Sequence, residues 1–373
     1  MAMGIGRGSS ALEGVTVLQR IVPELVTLVD QRYTILRQVY FHQPVGRRAL
    51  SSRLNLPERT VRNSMDVLKA QGLLAAEPAG MVVTELGAQI LGELRDLVRQ
   101  FHGLADVERR LARLLGLERV IVVPGDSDSD ETVKKEMARA TARYLQEILQ
   151  DGDVVAVTGG TTMAEVARSL PPSSARRDIM VVPARGGLGE EVEVEANTVA
   201  ANLARALGAS YRLLHLPDEV SEEALVTLTT TDQRIRSLLE LIRRADVVLH
   251  GIGSAEEMAR RRGLRPEQTE VLRARKAVGE AFGYYFDRAG SIVYSTGTVG
   301  LRLEELEKVP QVVAVGGGAS KALAALAVLA PHYQKVCITD EGCARRMLEL
   351  LRHKHDEAVR GLESELTLSA PAE

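Results

Sequence analysis

The chain has 373 residues, more than one ordinary hydrophobic core holds, so we expect two or three domains. Its composition is that of a globular protein, with 45% hydrophobic and 26% charged residues, a net charge of −3, and no apolar run near the roughly 18 residues that a membrane span needs. Aromatic residues make up only 3% and Trp is absent, which argues against platforms for stacking single-stranded nucleic acids.

The first residues, 1–15, are small and polar and lack a signal-peptide core, so they are predicted to form a disordered leader. The two cysteines, Cys337 and Cys343, form no CxxC pattern, which predicts neither a disulfide framework nor a metal site. Free thiols fit a reducing compartment, and we expect a cytoplasmic protein without a membrane partner.

Positive charge is concentrated in residues 31–72, which carry eight Lys and Arg side chains against two acidic ones, a local charge of +6. Such an excess favours a polyanionic partner for this part of the chain. Residues 16–85 are predicted to form short helices followed by a hairpin, with strands at Gly72–Leu74 and Met81–Val83.

Within this region, the sequence VGRRALSSRLNLPERTVRNSMDVLKAQGLL predicts a helix-turn-helix. A first helix is expected over Arg47–Leu54, and Pro57 suits the first position of the second helix. The side chains predicted to point inward are Ala49, Leu50, Leu54, Val61, Met65 and Leu68.

The outer face of the second helix carries side chains suited to base edges near its N-terminus, namely Arg59, Thr60, Arg62 and Asn63. The arginines of the first helix are expected to meet phosphates; these are Arg47, Arg48 and Arg53. With the hairpin, they predict a winged helix-turn-helix that binds double-stranded operator DNA. The alternative is a solvated basic helix pair.

Residues 86–117 place apolar side chains at alternating steps of three and four, which predicts one long linker helix. A seam this narrow indicates packing on a partner helix in a homo-dimer or tetramer, or else burial against its own domain. The seam consists of Ile90, Leu94, Leu97, Phe101, Leu104, Val107 or Glu108, Leu111 and Leu114.

Residues 118–352 alternate β-branched runs with amphipathic helical segments, which predicts an α/β domain with a mainly parallel sheet. A smaller antiparallel piece is expected around Ser291–Tyr294, and residues 353–373 are predicted to form a flexible tail. The predicted parallel strands are Val120–Val123, Val154–Val157, Ile179–Val182, Tyr211–Leu216, Val247–Leu249, Val312–Val315 and Val336–Ile338.

Two glycine turns between a strand and a helix are predicted to bind phosphate, since helix N-termini attract anions. The first turn offers bare backbone and hydroxyl donors, and its residues are Gly159, Gly160, Thr161 and Thr162. In the second turn, Gly318 and Ser320 precede Lys321, a cation that opposes the helix dipole unless an anion is present.

Two further turns supply arginines at strand ends: Arg185 lies beside two glycines, and one of Arg260, Arg261 and Arg262 is expected to point inward. The turns share one edge of a parallel sheet, where ligands usually bind. So many cations suggest a ligand with two phosphates, or with one phosphate and another acid. No turn reads GxGxxG or GxxxxGK[ST], which argues against dinucleotides and nucleoside triphosphates.

An enzyme acting on a sugar phosphate would need a base, and the candidates are Glu280, Asp287 and His250. Glu280 is interpreted as a binder of sugar hydroxyls because no acid partner is evident beside it, and His250 has the alternative of a core residue. No catalytic residue is therefore predicted. A sugar-phosphate isomerase or deaminase with an accessory DNA-binding domain, and a DNA-binding protein without an effector, remain the alternatives.

Six segments of the chain together resemble a known family: residues 45–62, 124–140 (PGDSDSDETVKKEMARA), 153–162 (DVVAVTGGTT), 182–198, 280–287 (EAFGYYFD) and 314–322 (AVGGGASKA). The chain resembles the central glycolytic genes regulators, among the sugar-binding bacterial repressors of the sorbitol (SorC) and deoxyribonucleoside (DeoR) type. The resemblance implies a winged helix-turn-helix before a Rossmann-like effector domain. That domain is related in fold to sugar-phosphate isomerases and deaminases but is not an enzyme.

The resemblance further implies that fructose 1,6-bisphosphate is the effector, that it relieves repression of a glycolytic operon, and that no cofactor is needed. The residues implied for one phosphate are Gly160, Thr161, Thr162 and Lys321. Those implied for the other phosphate are Arg185 and either Arg260 or Arg261, while Glu280 faces the sugar hydroxyls. Glu195 departs from the family pattern, in which a neutral amide is expected at this position. A carboxylate there would repel a neighbouring phosphate.

Overall fold

The computed structural model of the chain describes residues 20–173, 177–187, 191–218, 220–297 and 299–353. The chain divides into two compact units, one ending at Asp106 and one beginning at Val107. The predicted leader and nearly all of the predicted tail lie outside the described residues. In the described parts of the chain, no helix is both long and apolar enough to cross a membrane.

The first unit is a small helical domain with a two-stranded antiparallel hairpin, as predicted for a winged helix-turn-helix. The pair α2 and α3 forms the helix-turn-helix, and the hairpin β1–β2 follows it. Buried side chains from α1, α2, α3, α4 and β1 form one core. The elements are α1 (Pro23–His42), α2 (Arg47–Leu54), α3 (Glu58–Ala70), β1 (Leu74–Glu77), β2 (Gly80–Val83) and α4 (Glu85–Phe101).

Details of the helix-turn-helix differ from the predicted pattern. Leu50 is fully buried, but Ala49 is exposed, so the prediction that it points inward was wrong. Asn55 ends α2 in the left-handed conformation (φ 49°), which Asn tolerates better than most residues. Pro57 is the N-cap of α3 rather than its first residue, and its fixed φ still suits a helix entry.

The region predicted as one long helix is two helices. α4 ends at Phe101, and α5 (Leu104–Leu115) begins after Gly103, whose φ is +64°. A left-handed residue cannot continue a right-handed helix, and glycine adopts this conformation without a Cβ clash. The break falls close to the boundary between the two units, and a Cβ at Gly103 would meet open space.

The buried face of α4 is displaced by one residue from the predicted seam. Leu91 and Val98 are buried, whereas Ile90 and Leu97 are only partly covered. α4 packs against α1 of the same unit. The structure thus buries this face of α4 against its own domain, and packing of the seam on a partner helix stays a prediction.

The second unit is built on a seven-stranded, wholly parallel sheet with the order β3-β13-β12-β7-β4-β5-β6. β-branched side chains from its central strands form the core with α6, α7 and α8. The strands are β3 (Arg119–Val123), β4 (Val154–Val157), β5 (Met180–Pro183), β6 (Ser210–Tyr211), β7 (Val247–Gly251), β12 (Gln311–Val315) and β13 (Val336–Asp340). β6 is much shorter than the predicted strand Tyr211–Leu216.

The helices alternate with these strands, as the sequence predicts. They are α6 (Glu131–Ile148), α7 (Thr161–Ser169), α8 (Ala196–Leu207), α9 (Glu222–Thr231), α10 (Gln233–Arg243), α11 (Ala255–Arg261), α12 (Pro266–Ala274), α13 (Ala322–Leu329) and α14 (residues 341–353). Cys337 and Cys343 are buried free thiols, and burial raises the pKa of both, that of Cys337 to about 12.

A second, antiparallel sheet of four strands has the order β11-β10-β9-β8 and confirms the predicted antiparallel piece. Its strands are β8 (Gly253–Ser254), β9 (Gly279–Ala281), β10 (Tyr284–Phe286) and β11 (Ile292–Ser295). β8 follows β7 after a single residue, so this sheet begins at the carboxyl edge of the large one. There the strand order also reverses, because β4 leads to β5 and β6 in one direction and β7 leads to β12 and β13 in the other.

Candidate functional site

A cleft opens at the carboxyl ends of β4 and β7, where the strand order reverses and open α/β sheets usually bind ligands. Its empty volume, counted out to open solvent, is about 790 Å³. The loop after β4, the start of α7, the segments 185–186 and 194–196, α11 and β9 all contribute to its wall. The predicted effector residues that line it are Gly159, Gly160, Thr161, Thr162, Arg185, Arg261, Glu280 and Lys321.

Glycines shape the loop that leads from β4 into α7. A Cβ on Gly159 would lie 2.6 Å from the carbonyl oxygen of Val194, and Gly160 has a φ of +112° that other residues rarely adopt. The amide of Gly160 donates to the same carbonyl at 2.8 Å. The loop thus needs both glycines to bring α7 against segment 194–196.

The first turn of α7 presents hydrogen-bond donors to the cleft. Among the described residues, no acceptor takes a bond from the amides of Thr161, Thr162 or Met163, as is usual for the first amides of a helix. These amides carry the positive end of the helix dipole. The geometry therefore suits an anionic group such as phosphate at this end of the cleft.

Three cationic side chains surround this helix end. Lys321 Nζ lies 3.4 Å from Glu257 Oε2, and Arg261 lines the cleft beside them. Lys134, on the first turn of α6, donates from Nζ to Thr161 Oγ1 at 2.6 Å. Sequence reasoning did not select Lys134, although it lies in the segment PGDSDSDETVKKEMARA, because it belongs to a helix that follows a different strand.

Burial lowers the pKa of Lys134, and the nearby positive charges of Lys321 and Arg261 lower it further, against the opposing effect of Glu165 and Glu257. A lysine held close to other cations indicates a place where an anion is accommodated, since a bound anion relieves the repulsion. Lys134 therefore joins the residues of this end of the cleft.

The opposite end of the cleft contains a buried ion cluster of two arginines and two carboxylates. Arg185 forks onto Asp218, with Nε 3.1 Å from Oδ1 and Nη2 in contact with Oδ2. Arg262 bridges both acids, with Nη1 3.1 Å from Asp218 Oδ2 and Nη2 2.7 Å from Glu280 Oε1. The side chains are only 5%, 1%, 2% and 5% exposed for Arg185, Asp218, Arg262 and Glu280.

Of the three consecutive arginines, the structure turns Arg262 inward and places Arg261 in the cleft wall. Arg260 is exposed on α11 and does not line the cleft, so the structure differs from its prediction as an effector ligand. Residues one apart on a helix face different directions, which the run of identical residues could not resolve. Asp218 had no sequence signal, because it lies in an irregular segment.

The second glycine turn does not offer its amides to the cleft, and here the structure differs from the prediction for Gly318 and Ser320. The amide of Gly318 donates to Asp340 Oδ2 at 2.7 Å. The amide and hydroxyl of Ser320 donate to the carboxylate of Asp128 at 2.7 and 2.9 Å. Carboxylates of the protein thus hold the positions expected for an anion, and of this turn only Lys321 reaches the cleft.

Two candidates for a catalytic base lie outside the cleft. Asp287 Oδ1 accepts from the amides of Ala289 and Ser291 and so closes a turn. His250 is fully buried beside Phe282, donates from Nδ1 to the carbonyl of Gly251 at 2.9 Å, and has a pKa lowered to about 4 by burial. Both fit structural roles.

Glu280 and Glu195 place carboxylates on the cleft wall. Glu280 Oε1 accepts from Arg262 and from the amide of Gly283 at 2.6 Å, so two hydrogen bonds fix its orientation. Glu195 is half-buried at the start of α8 and lines the cleft next to Gly187. In the described residues, no group of three His, Cys, Asp or Glu side chains is placed to hold a metal ion.

In the first unit, the outer face of α3 exposes Arg59, Arg62 and Asn63, while Val61 on the other side is fully buried. Thr60 is partly covered, and of the α2 arginines Arg48 and Arg53 are exposed. Arg47 Nε lies 2.7 Å from Glu58 Oε1, so part of the positive charge at the start of α3 is offset. The contacts of these residues with DNA stay predictions.

Family comparisons also divide the chain into two parts, with a boundary between residues 98 and 99. A model of the CggR N-terminal DNA-binding domain matches residues 28–98, and a model of a sugar-binding domain matches residues 99–349. A central glycolytic genes regulator of Priestia megaterium is 41% identical over 90% of this chain and 98% of its own length. The chain belongs to the family of central glycolytic genes regulators. Another member, from Bacillus subtilis, is 38% identical over 88% of this chain and 97% of its own length.

Solved structures agree with this family. A SorC-family transcriptional regulator from Enterococcus faecalis is 37% identical and covers 65% of this chain and 99% of its own, with a TM-score of 0.61. The full-length sorbitol operon regulator of Klebsiella pneumoniae covers 87% of this chain and 98% of its own at a TM-score of 0.62. At 19% identity, the latter shows a shared fold alone.

Proposed function

We propose that this protein is a repressor of glycolytic genes whose binding to operator DNA is modulated by a phosphorylated sugar, most simply fructose 1,6-bisphosphate. The observation that carries the proposal is the cleft, where the free amides of α7 and three cations meet at one end and two arginines lie at the other. The relatives' name, central glycolytic genes regulator, supplies the target genes.

In this proposal the phosphate on α7 is bound by Gly160, Thr161, Thr162, Lys134 and Lys321, and the site performs no catalysis. Glu280 faces the sugar hydroxyls from its fixed position on β9. The protein is cytoplasmic and acts as a homo-dimer or tetramer, so that two helix-turn-helix units engage half-sites separated by whole turns of DNA.

Effector control requires that the sugar phosphate bind two states of the protein with different affinity. The test is titration of a fluorescent duplex, taken from upstream of the glycolytic genes, with the full chain in the presence and absence of fructose 1,6-bisphosphate. We expect tight DNA binding that the bisphosphate weakens. No DNA binding, or binding that the bisphosphate leaves unchanged, would contradict the proposal.

Variants of α3 sharpen this test. Truncating Arg59 or Asn63 to Ala is expected to weaken the specific duplex by about 1–3 kcal/mol and to relax sequence preference, because both are proposed to meet base edges. Truncating Arg53, proposed to meet a phosphate, should weaken all duplexes alike and lower the salt dependence by about one charge. Turnover of fructose 6-phosphate or glucosamine 6-phosphate by the wild-type protein would instead support an isomerase or deaminase.

A further inference from the structure

The two ends of the cleft differ in how their charges are compensated. At the start of α7, three cations and a helix N-terminus face two carboxylates, Glu165 and Glu257. At the other end, Arg185 and Arg262 are matched one for one by Asp218 and Glu280. The end that holds the ion cluster is therefore neutral in the free protein, although a second phosphate bound there would require hydrogen bonds from its arginines.

Asp218 occupies the position that a phosphate would take on Arg185. A carboxylate that accepts two parallel bonds from a guanidinium places its oxygens where two phosphate oxygens would bind, since arginine recognises both groups through the same fork. Both of its oxygens are engaged, Oδ1 by Arg185 and Oδ2 by Arg185 and Arg262. A second phosphate cannot reach this fork while Asp218 holds it.

Of the two carboxylates, Asp218 is the one that can leave. Glu280 lies on β9 and also accepts from the amide of Gly283. The Asp218 side chain bonds only to the two arginines among the described residues, and it projects from an irregular segment between β6 and α9. If the Asp218 carboxylate moved away from the arginines, no other hydrogen bond of its side chain to a described residue would break.

We propose that Asp218 is a resident substitute for the second phosphate and sets how far the protein distinguishes sugar bisphosphates from sugar monophosphates. This rests on the proposed function and deepens it. A monophosphate binds at α7 and leaves the ion cluster intact. The second phosphate of a bisphosphate must displace the Asp218 carboxylate from Arg185 and Arg262. This phosphate therefore contributes to affinity only the difference between its own interaction with the arginines and that of Asp218.

The test is calorimetric titration of the full chain with fructose 1,6-bisphosphate and, separately, fructose 6-phosphate. In the variant Asp218→Asn, which keeps the size and removes the charge, the affinity for the bisphosphate should rise at least about tenfold, while that for the monophosphate changes by less than about twofold. Glu147→Gln is the matched control, because Glu147 forms an exposed ion pair with Arg119. It should change neither affinity.

An equal rise for both ligands would show a general effect of net charge and would overturn the proposal. Unchanged or weaker bisphosphate binding, with monophosphate binding intact, would show that Asp218 only supports the fold and would overturn it too. Absence of binding of either ligand to the wild type would instead refute the proposed function.

A second measurement keeps the proposal testable if Asp218→Asn does not fold. The Nε–H resonance of Arg185, whose Nε donates to Asp218 Oδ1 at 3.1 Å, can be followed by NMR in the wild-type chain during the same two titrations. The bisphosphate should shift this resonance because its hydrogen-bond partner changes, and the monophosphate should leave it in place. Identical shifts with both ligands, or none with the bisphosphate at saturation, would overturn the exchange.

Discussion

Replacing Lys134 by Met is expected to weaken effector binding without destabilising the free protein. In the free protein, burial lowers the pKa of Lys134, and two other cations nearby lower it further, so removal of its charge relieves an unfavourable arrangement. Met keeps the length and the apolar stem of the side chain. The hydroxyl of Thr161 loses its 2.6 Å partner but is exposed and can bond to water.

The expected loss of binding follows from one charge-assisted hydrogen bond, which contributes about 1.5–3 kcal/mol. This corresponds to a dissociation constant that is about 10- to 150-fold higher. At a ligand concentration 100 times the wild-type dissociation constant, the ligand stabilises the wild type by about 2.7 kcal/mol. The same concentration would stabilise a variant with tenfold weaker binding by only about 1.4 kcal/mol.

Thermal melting with and without fructose 1,6-bisphosphate measures both effects in one experiment. We expect a melting temperature of the free Lys134→Met variant at or above that of the wild type, and a smaller shift on adding ligand. Lys135→Met is the control, because Lys135 is the next residue of α6, and residues one apart on a helix face different directions. A variant with lowered stability and an undiminished ligand shift would show that Lys134 is structural and would refute the reasoning.

Three further outcomes are expected. Effector affinity should fall as pH rises through the lowered pKa of Lys134, and Lys134→Met should lack this alkaline loss; a persistent loss would assign it to another group. Burial holds His250 neutral in the folded chain with a pKa of about 4, whereas in the unfolded chain it binds a proton below about pH 6.5. The free energy of unfolding should therefore drop by roughly 3 kcal/mol between pH 7 and pH 4. Urea unfolding of His250→Gln should show a correspondingly smaller drop, and an equal drop would contradict this assignment. Gly103→Ala should lower the free energy of unfolding by about 1–2 kcal/mol because of its positive φ, whereas Gly92→Ala, inside α4 and facing open space, should raise it by about 0.5–1 kcal/mol. Destabilisation by both would disprove the backbone argument.

Periodicity predicted the architecture well. The β-branched runs and the apolar steps on α3 report burial directly, so the parallel sheet and the helix-turn-helix could be read from the chain. The break at Gly103 was missed because a glycine in a helical pattern is compatible with either a weak helix or a helix end. Only the backbone conformation separates the two.

The candidate site was predictable only in part. A glycine turn indicates close backbone approach, but it does not say which group fills the space: the partner of Ser320 is Asp128, 192 residues earlier in the chain. Lys134 and Asp218 likewise reach the cleft residues Thr161 and Arg185 from segments distant in sequence, one from a helix and one from an irregular stretch. Side chains brought together by tertiary packing leave no local pattern.

The aspartates around the turn after β12 give that part of the cleft wall a backbone whose hydrogen bonds are already made within the protein. Asp340 and Asp128 accept from the amides of Gly318 and Ser320, so a ligand that entered the cleft would find these donors occupied. Lys321, at the end of the turn, is thus mounted on a preorganised support. A ligand bound by Lys321 would have to order only its side chain and not its backbone, which lowers the entropic cost of association at this position.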